Sequence, residues 1–510
     1  IPPLLKAYAM MKALPQQPAV TKKMEDVQAA IQSCAGLWLE AISAEESVTP
    51  GSEIKVKVTA INRSRFPFSL RSIDLNVSNT AEPSPIPIVY NEPISREIAA
   101  RVPPDQTYSQ PYWIQQDSGK PFANVSNQLW IGLPELPAPF QAKIHLQAEQ
   151  EELTVVVPVL YRWIDPVAGE RYRNLEVIPE VALNMREPVT VFAARETKEI
   201  TVELKSGREK VSGEMRLHLP EGWNATPESH AFSLQKKNQT ELARFQVTPS
   251  AEAKSGSFQV DAATGSKKIS RGIVTIDYPH IPPQTLFPAA TGKLVRLDLR
   301  KTGATIGYIA GSGDSIPEAL TQIGYPVRLL SDEDLLFGNL STIDSIVVGI
   351  RAYNTRPQLK AAQSRLLNYV NQGGTMVVQY NTLQDLDQDG LGPYPFRVSR
   401  DRVSVEEAPV TILKPDHVLL NSPNKITSVD FEGWIQERGL YFPDQWDPRY
   451  ETVLACNDPD EPPKEGGILY ARYGKGIYIY TGYSFFRELP AGVPGAYRLF
   501  VNLISARGQR

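Results

Sequence analysis

The sequence predicts a multidomain chain: an N-terminal helical segment, two all-β sandwiches of immunoglobulin-like type, and a C-terminal α/β domain of flavodoxin-like type. Three observations carry that prediction. The 510 residues exceed what a single hydrophobic core supports. The period of the apolar residues changes along the chain, from helical spacing to strict alternation to strands separated by helices. The 43 prolines suit a loop-rich β region, because proline is excluded from helix interiors and central strands.

Residues 1–43 form the helical segment. Met24, Val27, Ile31, Cys34 and Trp38 recur three or four residues apart and so share one helix face. The run ALPQQP, Ala13 to Pro18, divides the segment into two helices. Such a pair must bury its stripe on the next domain or on a preceding one. The chain opens on Ile1, as expected of a processed end or of a cut within a longer chain. Residues 44–186 turn to alternation. In SEIKVKVTAIN, Ile54, Val56, Val58 and Ala60 fall on one face, and AKIHLQA and ELTVVVPVLYRW repeat the habit. Residues 187–282 form a second, shorter sandwich, in which GEMRLHLPEGW points Met215, Leu217 and Leu219 inward. PHIPPQTLFP, Pro279 to Pro288, reads as a stiff linker.

Residues 283–510 alternate strand with helix. ATIGYIAG, PVRLL, DSIVVGI and TMVVQY are strands; SIPEALTQIG and the glycine-closed RPQLKAAQSRLLNYVNQGG are helices. That order builds a parallel sheet with right-handed crossovers. GGILYARYGKGIYIYTGYSFF reads as a hairpin turning at Gly474 to Gly476, and GAYRLFVNLIS as a closing helix.

Composition excludes several functions. Lys and Arg number 53 against 57 Asp and Glu, a formal charge of -4, which gives no pull toward nucleic acid or anionic lipid. No apolar run approaches the roughly 20 residues of a membrane span. Cys34 and Cys456 are the two cysteines; they exclude a disulfide framework and a Cys-based zinc site, and read as buried free thiols. The histidines His145, His218, His230, His280 and His417 form no zinc-hydrolase pattern.

The candidate site lies beyond the carboxyl ends of the parallel strands. Three loops meet there: GSGDS, RAYNT and YNT. They offer Asp314, Arg351, Tyr353, Asn354, Tyr380 and Asn381, the hydroxyls, amides, guanidinium and aromatic faces that a sugar-sized polar ligand requires. The alternative is a set of solvated loop residues with local turn bonds. GSGDS is no dinucleotide fingerprint, since Ile316 stands where the third glycine belongs and no Walker lysine follows; its glycines read as a tight corner, with Asp314 or Ser315 capping the next helix. A hydrolase of this fold needs a Cys or Ser on a sharp turn after a central strand. After GGTMVVQ that place is held by Tyr380 and Asn381.

Three further groups are candidates. His417 is the one histidine of the α/β part. DFEGWIQERGLYFPDQWD sets Glu432, Glu437, Asp444 and Asp447 among aromatics, either as an acid/base pair or as structure, with Glu437 paired to Arg438. Asp385, Asp387, Asp389 and Gly390 spell the front half of a calcium loop, but Pro393 and Phe396 stand at its ninth and twelfth positions. That stretch is an incidental acidic turn or a weak calcium site completed by outside ligands.

Five strings are similar to a known family: VPVLYRWIDPVAGERYR, SQPYW, GPYPFRVSRDRV, DFEGWIQERGLYFP and FFRELPAGVPGAYRLF. They resemble the C-terminal region of large bacterial PIG-L, or LmbE-like, deacetylases. The resemblance implies an upstream zinc-dependent de-N-acetylase domain as partner, a sandwich region whose second member is of NEW3 type, and a terminal domain similar to class I glutamine amidotransferase and ThuA-like folds. It also implies a periplasmic or cell-surface location. The family's zinc motif, of the type A-H-P-D-D, does not occur here, so zinc is expected only in the deacetylase domain and no ligand carries over. The expected function is a non-catalytic accessory region whose α/β domain binds or positions a carbohydrate. The alternatives are a ThuA-like sugar-active enzyme using carboxylates of Asp430 to Asp447, and a purely structural docking module.

Overall fold

The computed structural model describes residues 1–15, 17–116, 122–388 and 390–507, with side chains left undescribed over 78–83. Two helices open the chain, Pro2–Lys12 and Pro18–Ala35. Each starts on proline, whose missing N–H is no loss in a first turn. The second stops at Gly36, whose φ of 56° makes it a left-handed cap. The helical segment is therefore shorter than expected: Leu37–Ser43 is already a strand. Trp38 continues the helical spacing by coincidence; it is exposed, beneath the guanidinium of Arg63. Cys34 is exposed and not buried; Cys456 is buried. The helical stripe is covered by the first β unit. Leu5, Tyr8, Ile31 and Ala35 share a core with Ile54, Val56, Phe68 and Leu146, and Gln28 Nε2 donates to the Thr154 carbonyl at 3.0 Å.

The first β unit is one eight-stranded sheet folded over that core. Its crease is the 15-residue strand Glu151–Asp165. The first half of that strand pairs with Gln141–Ala148, and the second half with Leu37–Ser43 and Gly169–Asn174. Val181–Met185, expected in this unit, pairs instead with Lys198–Ser206 in the second.

The second β unit stacks a four-stranded sheet on a six-stranded one. It runs past residue 282, because Thr291–Arg296 returns to pair with Gly256–Thr264 and Val189–Phe192. The proline-rich stretch is thus an excursion within this unit, and not a linker between domains. It is stapled by a short pairing of Val274–Ile276 with Gln284–Leu286. Both boundary errors have one cause: alternation identifies a strand but not the sheet it joins.

The α/β domain carries a seven-stranded mixed sheet. Val327–Leu329, Ile306–Ile309, Ser345–Val348, Thr375–Gln379 and Gly476–Thr481 lie side by side and parallel. Ile468–Tyr473 and Glu451–Thr452 extend it antiparallel. Between Gln379 and Ile468 the chain leaves the sheet. That excursion holds two small ladders, Phe396–Val403 with Gly439–Trp446 and Val410–Ile412 with Leu454–Cys456. The domain shares a core with the second sandwich, in which Val191, Val295 and Leu297 join Tyr308, Leu320 and Leu499. The Lys198 ammonium donates to the Gln322 carbonyl across this junction. No helix among the described residues is long and apolar enough to cross a membrane.

Candidate functional site

One tight corner at the carboxyl end of the sheet follows the strand Ser345–Val348. Gly349 and Ile350 lead to Arg351, which holds a left-handed φ of 55° at the mouth of the short helix Ala352–Thr355. Two glycines make room for it. A Cβ on Gly349 would lie 2.8 Å from the Tyr308 hydroxyl, and one on Gly311 would lie 2.1 Å from the Ile350 carbonyl. A strand, a left-handed residue and a helix make the backbone form of a nucleophile elbow. Sequence reading placed that corner at Tyr380 and Asn381. The left-handed corner falls one strand earlier, at Arg351.

Four of the expected crevice residues are scaffold. Asp314 is turned inward: the Tyr308 hydroxyl donates to its carboxylate at 2.5 Å, and the amides of Ile316 and Ile350 reach it at 3.1 and 3.4 Å. The glycine-rich corner allows a close crossing of loops, since a Cβ on Gly311 would strike the Ile350 carbonyl. Asn381 is fully buried. Its side chain accepts from the Tyr353 amide at 3.0 Å and donates to the Gln379 carbonyl at 3.0 Å. Asn354 bridges to Thr382 and Gln384. Tyr353 gives its hydroxyl to Gln363 at 2.6 Å, and burial raises its pKa. Together they lock the second and third loops to each other.

Of the remaining two, Arg351 faces solvent at the carboxyl ends of the strands, whereas Tyr380 is buried, 7% exposed. Arg351 is exposed, and its guanidinium pairs with no described carboxylate. Tyr380 is stacked on Tyr441 with centroids 5.8 Å apart and planes 6° apart, and it also meets Phe486 at 5.3 Å. Burial pushes the Tyr380 phenol up, opposed by the charges of Arg351 and Arg487. Glu437 lies beside this platform, 2% exposed. It does not pair with Arg438. One oxygen accepts from Arg487 Nε at 3.1 Å and the other from Arg402 Nη2 at 2.7 Å. Both oxygens are spent on guanidiniums, so Glu437 braces two arginines instead of working as a general acid.

Sequence reading missed Arg402, Tyr441, Phe486 and Arg487. A signal existed: GPYPFRVSRDRV, DFEGWIQERGLYFP and FFRELPAGVPGAYRLF each send one charged residue to the Glu437 ion-pair cluster. Backbone geometry marks the same place. Arg351, Gln436 and Tyr441 have φ of 55°, 65° and 54°, and non-glycine residues held left-handed cluster where function over-determines the backbone. Glu488, next to Arg487, is wholly buried with its carboxyl pushed up to about 8, chiefly by desolvation; the Ile435 amide donates to it at 3.0 Å.

The remaining candidates lie apart. His417 presses its ring edge on Tyr470 at 4.7 Å and caps the helix Val418–Asn421 through Nδ1. Burial lowers its pKa, and the charged groups nearest it are Glu451, Lys414 and Arg472; none belongs to the crevice. Glu432 is exposed. Asp444 and Asp447 are spent on Arg397 and Arg449, and Asp447 is held down to about 2. The acidic segment therefore disperses into separate ion pairs and forms no catalytic pair. In the calcium-like run, Asp385 is exposed and Asp387 pairs with Lys360 at 2.7 Å, while Asp389 lies outside the described residues. Among the described residues no cluster of three His, Cys, Asp or Glu forms that could hold a metal.

Fold and site together define a multidomain, mostly-β protein with N-terminal helices and a C-terminal mixed α/β sheet. No protein-family model and no curated protein sequence matches the chain. Several solved structures are distantly similar. The exo-β-1,4-mannosidase Op5Man5 from Opitutaceae bacterium strain TAV5 is 11% identical over 40% of this chain and 36% of its own, with a TM-score of 0.26. Red sea bream transglutaminase is 10% identical over 55% and 34%, with a TM-score of 0.22. The α-2-macroglobulin of E. coli is 15% identical over 51% and 17%, with a TM-score of 0.18. The chain spans about a third or less of each, and likeness at this level carries no functional argument.

Proposed function

We propose that this chain is a non-catalytic recognition region of a larger sugar-modifying protein, with its α/β domain binding a carbohydrate in the strand-end crevice. The observation that carries the reading is Arg351. It occupies the left-handed corner after Ser345–Val348, exposed and without an ion-pair partner among the described residues, beside the Tyr380–Tyr441 pair. An elbow that presents a guanidinium can orient a ligand by forked hydrogen bonds but cannot attack it. The part-exposed ring of Tyr441, backed by the buried Tyr380, suits the C–H face of a pyranose, and the bonds of Arg487 and Arg402 to Glu437 keep the crevice walls in place. The exposed guanidinium of Arg351, with no described ion-pair partner, favours a sugar bearing an acidic group.

Two finer statements belong to this proposal. The α/β domain is of class I glutamine amidotransferase-like or ThuA-like type with its attacking group replaced, and the β units are immunoglobulin-like spacers, the second of NEW3 type. The sequence strings similar to PIG-L deacetylases favour a zinc-dependent deacetylase domain as partner within the same protein, and with it a periplasmic or surface location. Calorimetric titration of the chain with neutral, amino and uronic oligosaccharides tests the binding claim. A uronic or other acidic sugar is expected to bind, with affinity lost in Arg351→Ala. Silence of every acidic sugar, or acidic-sugar binding indifferent to Arg351 and Tyr380, would refute the proposal.

A further inference from the structure

A large cavity lies far from this crevice in the chain, at the junction of the first sandwich with the proline-rich excursion of the second. Its volume is about 970 Å³, at the upper end of the range for ligand pockets. Two of the motif strings that the crevice does not use, SQPYW and VPVLYRWIDPVAGERYR, meet in its walls.

The aromatic residues there are held in place. Tyr112 is a buried post whose hydroxyl donates to the Leu133 carbonyl, and the indoles of Trp113 and Trp130 pack on it at 4.9 and 6.5 Å. On the opposite wall Trp163 is stacked on Tyr161 at 5.9 Å, with the planes 14° apart. The hairpin register sets Trp163 directly across from Arg171, an exposed residue with no described ion-pair partner. A third wall, Pro279 to Thr285, is stiffened by three prolines and tied to the floor by a 2.8 Å bond from Thr285 to Glu176. Trp113 nevertheless stays 41% exposed. Packing of the loop therefore does not use up its indole, and rigid, part-exposed rings spend little entropy on binding.

We propose that this groove binds a linear oligosaccharide chain, independently of the crevice. Indole faces on two walls stack on sugar rings, while Arg171 and the amides of Gln106, Gln110 and Gln115 receive the hydroxyls. The density of charged and amide groups among the aromatics favours a hydroxyl-rich chain over a fatty ligand. A proline-rich peptide would also fit aromatic faces, but it has no use for so many side-chain hydrogen-bonding groups.

The test is titration of the full chain, followed by calorimetry and indole fluorescence, with the uncharged hexasaccharides of glucose, xylose, mannose and N-acetylglucosamine, and with decaproline. At least one hexasaccharide is expected to bind. Trp163→Ala should weaken it about tenfold or more, and Arg171→Ala, a surface change without packing consequences, by about threefold. Three results would overturn the proposal: no hexasaccharide binding, binding unchanged in both groove variants, or binding of decaproline in place of the sugars. The crevice reading rests on acidic sugars, so its failure and failure here are read on different ligands.

Discussion

Glu488→Gln probes the ground beneath the crevice. The side chain is fully buried, with its carboxyl pushed up to about 8 from an ordinary value of 4.5 by desolvation, which the charge of Arg438 and the bond from Ile435 only partly offset. The folded pKa lies above the unfolded one, so between pH 4.5 and about 8 the native chain holds a proton that the unfolded chain has released. Stability is therefore full below the unfolded value and falls as pH rises through the folded one. A rise of that size corresponds to at most roughly 5 kcal/mol across the window. Glutamine keeps an acceptor for the Ile435 amide and carries no charge at any pH. Urea unfolding at pH 5 and pH 8.5, pulse-labelled with deuterium and read on peptides spanning 476–505, isolates this domain from the sandwiches. Wild type and variant should match at pH 5, and the variant should be more stable by at least about 2 kcal/mol at pH 8.5. Equal losses in both proteins would show that Glu488 is not the proton reservoir.

Three further outcomes are expected. Arg351→Gly replaces a left-handed arginine, whose backbone costs about 1–2 kcal/mol, with a residue free at φ of 55°; thermal unfolding should show no loss of stability while binding of acidic sugars at the crevice disappears. Glu437→Gln breaks the ionic character of two pairs to partly exposed arginines, so chemical denaturation should register a loss of about 1–2 kcal/mol, with weaker binding as Arg487 loses its brace. Asn502→Ala removes a buried amide that accepts from Asn424 and donates to the carbonyls of Leu419 and Asn424; leaving those groups unpaired should cost about 2–4 kcal/mol in the same assay.

Elements were legible in the sequence wherever local pattern alone defines them. The parallel strands, the helix Pro357–Asn371 and the hairpin at Gly474 to Gly476 lie where periodicity and glycine placed them. Partnership was not legible. Val181–Met185 and Thr291–Arg296 alternate like any half-buried strand, and only the folded chain shows that both belong to the second sandwich. At the site, polarity drew attention to Asp314, Tyr353, Asn354 and Asn381, which spend their hydrogen bonds on the scaffold. Arg487 and Arg402 went unnoticed because they stand 85 residues apart in sequence and are joined only through Glu437. The elbow at Arg351 was missed because a positive φ on arginine leaves no mark in composition; Gly311 and Gly349, which make it possible, looked like ordinary turn residues.

The most direct test of recognition without turnover is a titration of an acidic oligosaccharide into the wild-type chain and Arg351→Ala side by side, with the sugar recovered afterward and weighed by mass spectrometry. Saturable binding to the wild type alone, with the sugar returned unaltered, is the predicted result. A sugar cleaved, deacetylated or otherwise changed by the chain, at a rate that collapses in Glu437→Gln, would contradict it.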